Sequence, residues 1–142
     1  MKLNINLLFL SIVIFCPTFG HSADLKVHVL GLLDNQGDVH IALYNKDSTF
    51  PSSHSIYRQH QALISDRQTI SVFKQLPPGY YAIATYHDQN NNDKFDQNFF
   101  GIPLEDFGFS NHASALFGPP NFEDAKFLIK DTDLTIKINL NP

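Results

Sequence analysis

Cysteine is almost absent from this chain: among its 142 residues, only Cys16 carries a thiol. Cys16 lies in an apolar segment near the N-terminus, and removal of that segment would leave no cysteine. A protein without cysteine cannot form a disulfide, even in an oxidising compartment. We therefore expect its stability to come from core packing or from a bound metal ion.

Basic residues are also scarce. The chain has 10 Lys and Arg against 14 Asp and Glu, a formal net charge of −4. Within residues 1–23 the only charged side chain is Lys2, so residues 24–142 carry 9 − 14 = −5. Nucleic-acid-binding domains instead carry clustered positive charge. The composition therefore predicts no nucleic-acid partner.

The N-terminus has the three-part layout of a secretory signal peptide. Lys2 precedes an apolar run over residues 7–15, and small residues follow at Gly20 and Ala23. The run is about half of the roughly 20 apolar residues that span a bilayer. We predict that residues 1–23 are a signal peptide, with cleavage after Ala23 favoured over cleavage after Gly20. The mature protein is then periplasmic or secreted, without a stable membrane anchor.

The remainder alternates apolar and polar residues with the period of β-strands. Segments 25–29 and 39–43 flank the turn-like residues 34–37 and predict a β-hairpin. Four further segments alternate in the same way: 69–73, 80–87, 125–129 and 134–140. Residues 46–60 are polar and predict a connection, with a short helix possible over 55–63.

Short strands separated by turns, without a long helical period, predict an all-β fold. The predicted architecture is a two-sheet antiparallel β-sandwich, immunoglobulin-like or transthyretin-like, formed by one domain over residues 24–142. Residues 88–123 lack the strand pattern and are predicted to form one long ordered loop.

Motifs in the second half of the chain carry a family resemblance. Residues 73–82, FKQLPPGYYA, resemble the strand-turn-strand signature of transthyretin-like and carboxypeptidase-regulatory-like sandwiches. HDQNNNDKFD at 87–96, FGIP at 100–103 and GFSN at 108–111 follow in order. Together these motifs resemble the exported bacterial family described as domain of unknown function 2141 (DUF2141). The resemblance implies export and a β-sandwich, and it implies no biochemical activity.

The loop contains a calcium-ligand pattern. Asp88, Asn90, Asn92 and Asp96 occupy positions 1, 3, 5 and 9 of a linear calcium loop, with the Lys94 carbonyl at position 7. A chain that curls around an ion presents every second side chain inward, and oxygen ligands suit calcium. These five residues are therefore predicted to bind calcium weakly. The alternative is a polar turn held by side-chain to backbone hydrogen bonds without an ion.

The pattern departs from an EF-hand at two positions. Position 6 is Asp93 instead of glycine, and position 12 is Phe99, which cannot supply a carboxylate. An EF-hand is therefore excluded, and another group must complete the coordination shell. Water or one of four nearby carboxylates is available, those of Glu105, Asp106, Glu123 and Asp124.

Two other features of the chain have competing interpretations. Seven phenylalanines crowd the loop region: Phe95, Phe99, Phe100, Phe107, Phe109, Phe117 and Phe122. Packing of the loop by its own side chains is favoured over an exposed ligand platform. No two histidines are closely spaced, so a zinc or copper site is not favoured.

No catalytic motif is present. The chain has neither a Gly-x-Ser-x-Gly elbow nor a His-Glu-x-x-His pattern. The favoured interpretation is a non-enzymatic binding or accessory module of unknown ligand, for which glycans and peptides are the candidates considered. The alternative is a hydrolase that acts on an envelope polymer or carbohydrate.

Overall fold

The structure, a computed structural model, describes residues 21–115 and 118–140. Most of the predicted signal peptide, residues 1–20, lies outside the described residues. Ala23 is described, and it begins the first strand, where it pairs with Leu76 and is 2% exposed. A cut after Gly20 would keep Ala23 in that strand, whereas a cut after Ala23 would remove it, and the cleavage position stays a prediction.

The described residues form eight short strands. In chain order these are β1 (Ala23–Leu30), β2 (Asp38–Tyr44), β3 (Arg58–Leu63), β4 (Thr69–Leu76), β5 (Gly79–Asp88), β6 (Phe107–Phe109), β7 (Phe127–Ile129) and β8 (Leu134–Asn139). One α-helix, α1, spans only Phe122–Ala125. Over the described ranges, no helix has both the length and the apolar character needed to cross a membrane.

The strands form two sheets. β4, β1 and β8 make a three-stranded sheet, and β3, β2, β5 and β6 make a larger one in which β7 also pairs with β5. The predicted two-sheet, all-β architecture is confirmed. One pairing differs from the antiparallel expectation, because β1 and β8 run parallel, with Leu25 opposite Leu134. A parallel neighbour is reached through a long connection instead of a hairpin turn.

The predicted hairpin between the first two strands is wrong. β1 pairs with β4 and β8, whereas β2 pairs with β3 and β5 in the other sheet. Each strand buries one apolar face, and Val27 of β1 and Ile41 of β2 are both 0% exposed. Alternation identifies the buried face of a strand, but it does not identify the strand beside it. Residues 31–37 therefore connect the two sheets.

The predicted connection over residues 46–60 is correct only in its first part. It contains two 3₁₀ turns, Asp47–Thr49 and Ser53–Ser55, but β3 begins at Arg58, and the helix considered for 55–63 is wrong. Side chains of β3 alternate between half-buried and exposed. Because β3 is an edge strand, polar residues occupy both faces and obscure the apolar alternation.

The main core lies between the two sheets. Most of its residues are at most 1% exposed, among them Leu25, Val27, Val29, Val39, Ile41, Leu43, Phe73, Ile83 and Ile138. A second, smaller apolar cluster lies on the opposite face of β2 and β5 and contains Tyr44, Ala82, Phe122 and Ala125. The chain after β6 therefore folds back over part of the larger sheet's outer face.

A glycine at the entry to β2 allows close approach to the end of β5. Gly37 has a φ of +68°, and a Cβ built there would lie 1.8 Å from the carbonyl oxygen of Asp88. Gly101 has a similar φ of +77°, but a Cβ there would meet nothing within 4 Å. The two glycines thus share a left-handed backbone and differ in the space around them.

We predict that Gly37→Ala destabilises the protein more than Gly101→Ala. A left-handed alanine costs about 1–2 kcal/mol, and at position 37 displacement of the β5 backbone adds to that cost, for a total of roughly 3 kcal/mol or more. Chemical unfolding of wild type and of both variants measures how much each substitution lowers the free energy of unfolding. Equal destabilisation would contradict the close approach of Gly37 to Asp88.

Candidate metal centre

The side chain of Asp88, at the end of β5, is the most buried group of the site. Its exposed fraction is 0%. Its carboxylate accepts two backbone N–H groups of the following loop, Asn92 N on Oδ1 at 3.1 Å and Asp93 N on Oδ2 at 2.7 Å. A buried carboxylate requires such donors or a cation, because burial of an unpaired charge is costly. Asp88 therefore fixes the start of the loop.

The next residues curl through successive turns formed by asparagine side chains. Asn90 Oδ1 accepts the N–H of Asn92 at 3.1 Å, and Asn92 Oδ1 accepts the N–H of Lys94 at 2.9 Å. Asn91 and Asp93 have φ values of 55° and 60°, a left-handed conformation that Asn and Asp tolerate better than most residues. Asp93 thus adopts the backbone that glycine usually supplies at position 6 of a calcium loop.

The loop brings the predicted side-chain ligands together. Asp96 Oδ2 accepts hydrogen bonds from Asn90 Nδ2 at 2.8 Å and from Asn92 Nδ2 at 2.9 Å. Asp88 is linked to Asn92 through the backbone N–H described above, and Lys94 lies in the same turn. The same hydrogen bonds are expected in a polar turn that binds no ion, so the binding of calcium stays a prediction.

Among the four carboxylates considered for completing the shell, that of Glu105 contacts the ligand segment, residues 88–96. Glu105 is 8% exposed, and its Oε2 accepts the N–H of Asp96 at 3.0 Å. Its Oε1 is buried and has no hydrogen-bond partner among the described residues. Burial raises the pKa of Glu105, and the negative charges of Asp88 and Asp96 raise it further. Glu123 instead pairs with Lys126 at the surface.

A second group of donor atoms shares Asp88. Asp38, His40 and Asp88 each offer one atom to a cluster in which all the distances are within 4.8 Å, and this group can hold a metal ion. His40 Nε2 lies 3.3 Å from Asp38 Oδ1 and 3.5 Å from Asp88 Oδ2. Burial raises the pKa of Asp38, with the charge of Asp88 also raising it and His40 opposing the shift.

Asp38 and His40 were not predicted as ligands from the sequence. The available signal was Asp38-x-His40, which places both side chains on one face of a strand. Its significance depends on the pairing of β2 with β5, which sets Asp38 opposite Asp88 and His40 opposite Tyr86. That pairing joins positions 50 residues apart and is not visible in the local pattern.

A groove of about 780 Å³ borders this group on the outer face of the larger sheet. Such a volume is within the usual range for ligand sites, about 300–1,000 Å³. His40 and Asp93 line it together with the small side chains of Ala42 and Ala84. Its aromatic lining comprises Tyr44, Tyr86, Phe95, Phe107 and Phe109, and polar lining includes Gln59, Gln61 and Lys94. The groove combines aromatic surface with a few polar groups, as ligand sites do.

The prediction that the phenylalanines pack within the loop is confirmed only for some of them. Phe95 and Phe107 contact each other with ring centroids 5.8 Å apart, and Phe107 and Phe109 are also 5.8 Å apart. Phe99 and Phe100 are instead 96% and 83% exposed. Phe117 lies outside the described residues.

Fold and site together define a small all-β protein that carries a group able to hold a metal ion beside a groove. The family model described as "Uncharacterized protein conserved in bacteria (DUF2141)" matches residues 27–137, and the chain belongs to this family. The search of curated proteins and the search of solved structures each gave no match.

We predict that Glu105→Gln stabilises the metal-free protein. The amide oxygen can still accept the N–H of Asp96, while the substitution removes a desolvated negative charge that lies next to Asp88 and Asp96. Relief of like-charge repulsion at this partly buried site is worth about 1–2 kcal/mol. The melting temperatures of wild type and the variant, measured in EDTA, check the prediction. Glu123→Gln, at an exposed carboxylate, is the control and should change stability little; a Glu105→Gln variant that melts below wild type would contradict the prediction.

Proposed function

We propose that this chain is an exported β-sandwich binding module whose acidic loop binds calcium and thereby orders the wall of a ligand groove. The ligands are side-chain oxygens of Asp88, Asn90, Asn92 and Asp96 and the Lys94 carbonyl. The observation that carries the proposal is the convergence of Asn90 and Asn92 on the Asp96 carboxylate, within a backbone of the calcium-loop type.

Glu105 completes this shell in the proposal. Its carboxylate is held against Asp96, and its second oxygen is buried without a hydrogen-bond partner among the described residues. With Glu105, the proposed shell reaches the lower end of the usual 6–8 oxygen ligands of calcium. Glu105 thus takes the place of the carboxylate that Phe99 cannot supply at position 12.

Calcium and ligand binding are linked through the loop itself. The groove is lined by Lys94, which is one of the proposed ligands, and by its two neighbours in the chain, Asp93 and Phe95. A cation that fixes residues 88–96 therefore fixes one wall of the groove. The cation reduces the ordering cost that the ligand would otherwise meet on binding.

Addition of calcium should raise the melting temperature of the purified protein. We expect a dissociation constant of roughly 10⁻⁴ to 10⁻³ M, because Asp93 replaces the glycine of position 6 and the last carboxylate comes from Glu105, outside the 12-residue motif. Binding to the folded state alone then adds about 0.4 kcal/mol at the dissociation constant and about 1.4 kcal/mol at ten times that concentration. Magnesium should stabilise less, because it demands tighter octahedral geometry.

A pair of matched variants locates this effect. Asp96→Asn removes one negative charge at the proposed ion and should abolish most of the calcium-dependent shift. Asp131→Asn removes one from an exposed position after β7 and should leave the shift intact. If about 10 mM calcium, tenfold above the weaker estimate, leaves wild-type melting unchanged and calorimetry detects no binding, the loop is a polar turn.

Binding of a glycan or peptide in the groove should depend on calcium. Arrays of glycans and peptides, probed with protein in calcium and in EDTA, are expected to give hits that EDTA weakens. Tyr86→Ala removes an aromatic wall of the groove and should weaken the same hits, whereas Ile70→Ala, at an exposed position on β4 in the other sheet, should not. Turnover of a hit would replace the binding module with the hydrolase alternative.

A further inference from the structure

We propose that Asp38, His40 and Asp88 form a second cation site, which takes a transition metal such as zinc at the edge of the groove. This site is distinct from the proposed calcium loop, and the two share only Asp88. Two of its ligands come from β2 and one from the end of β5, so strand pairing positions all three.

The spacing of the donor atoms suits a directly coordinated ion. Metal–ligand distances of about 2.0–2.2 Å in a tetrahedral zinc site imply ligand–ligand distances of about 3.3–3.6 Å. His40 Nε2 lies 3.3 Å from Asp38 Oδ1 and 3.5 Å from Asp88 Oδ2. These two distances match a shared ion, and the Asp38 and Asp88 donor atoms lie within 4.8 Å of each other, a separation that small side-chain movements can adjust.

The kind of donor selects among the metals. Octahedral calcium, with bonds of about 2.3–2.6 Å, gives similar ligand spacings, so distance alone does not discriminate. Imidazole nitrogen suits zinc, copper, iron and nickel, whereas calcium and magnesium take oxygen ligands. His40 therefore assigns this group to a transition metal, and the neighbouring oxygen-only loop to calcium.

His40 Nε2 faces the side-chain amide of Gln61, which identifies it as the unprotonated ring nitrogen. Gln61 Nε2 donates to Asp93 Oδ1 at 2.6 Å and lies 3.0 Å from His40 Nε2. Because an amide nitrogen is a donor, the imidazole nitrogen that faces it acts as the acceptor, which is the form that binds a metal. Gln61 is exposed and can turn away when an ion binds.

The carboxylates supply a buried group that lacks a hydrogen-bond partner. Asp38 Oδ1 is buried and makes no hydrogen bond to any other described residue, while the Asp88 side chain is 0% exposed. The remaining coordination position would be taken by water or by Asp93, whose Oδ1 lies 3.6 Å from His40 Nε2 and whose side chain is 73% exposed. Three protein ligands with a more open fourth position are the pattern of accessible zinc sites.

Zinc titration of the metal-free purified protein by calorimetry tests the proposal. We expect one equivalent of zinc to bind, and cobalt to give the visible absorption of a nitrogen–oxygen site of low symmetry. His40→Gln and Asp38→Asn should each weaken zinc binding at least tenfold, since even loss of an outer-shell partner costs about 10–100-fold. His28→Gln, on β1 in the other sheet, is the matched control and should leave the zinc affinity unchanged.

The calcium response separates this site from the proposed calcium loop. His40→Gln should keep the calcium-dependent melting shift, which also shows that the variant is folded, and Asp96→Asn should keep zinc binding. Absence of zinc binding in wild type, or equal zinc affinity in wild type, His40→Gln and Asp38→Asn, would overturn the proposal. Equal losses in His28→Gln and His40→Gln would identify adventitious binding by surface imidazoles, and loss of zinc in Asp96→Asn would leave a single shared site; both results overturn it.

Discussion

The buried carboxylate of Asp88 is the constraint on which the site depends. A charge taken out of water is tolerated when it is hydrogen-bonded, paired or bound to a metal ion. Asp88 receives two backbone N–H groups, and His40 Nε2 lies 3.5 Å from its Oδ2. Asp38 and Glu105 each add a buried oxygen without a hydrogen-bond partner among the described residues. A cation is the simplest group that would balance this concentration of negative charge.

The sheet and the loop contribute to this site in different ways. Pairing of β2 with β5 places Asp38 and His40 beside Asp88 with the rigidity of a hydrogen-bonded ladder. The loop places Asn90 and Asp96 through a chain of local hydrogen bonds that begins at the same carboxylate. Asp88 therefore belongs to both parts of the site: the group with Asp38 and His40, which strand pairing fixes, and the loop, whose order depends on local turns.

Local patterns predicted the local features of this protein. Alternation located β1, β2, β4, β5, β7 and β8, and the spacing from Asp88 to Asp96 identified side chains that do converge. Features that depend on distant partners were missed. The same alternation suits a hairpin or two facing sheets, so β1 and β2 were paired incorrectly. Asp38 and His40 could be recognised as ligands only from the register of β2 with β5. Without the fold, Glu105 could not be distinguished from three other carboxylates as the group that contacts Asp96.

Hydrogen exchange of the loop amides with and without calcium would show whether a cation orders the site, because exchange reports the local stability of each backbone segment. We expect calcium to slow exchange across residues 88–105, including the N–H groups of Asn92, Asp93 and Asp96 that already face carboxylates. Amides of β1 and β4, in the other sheet, should change much less. Exchange in the loop that is the same in calcium and in EDTA would contradict a cation-ordered site.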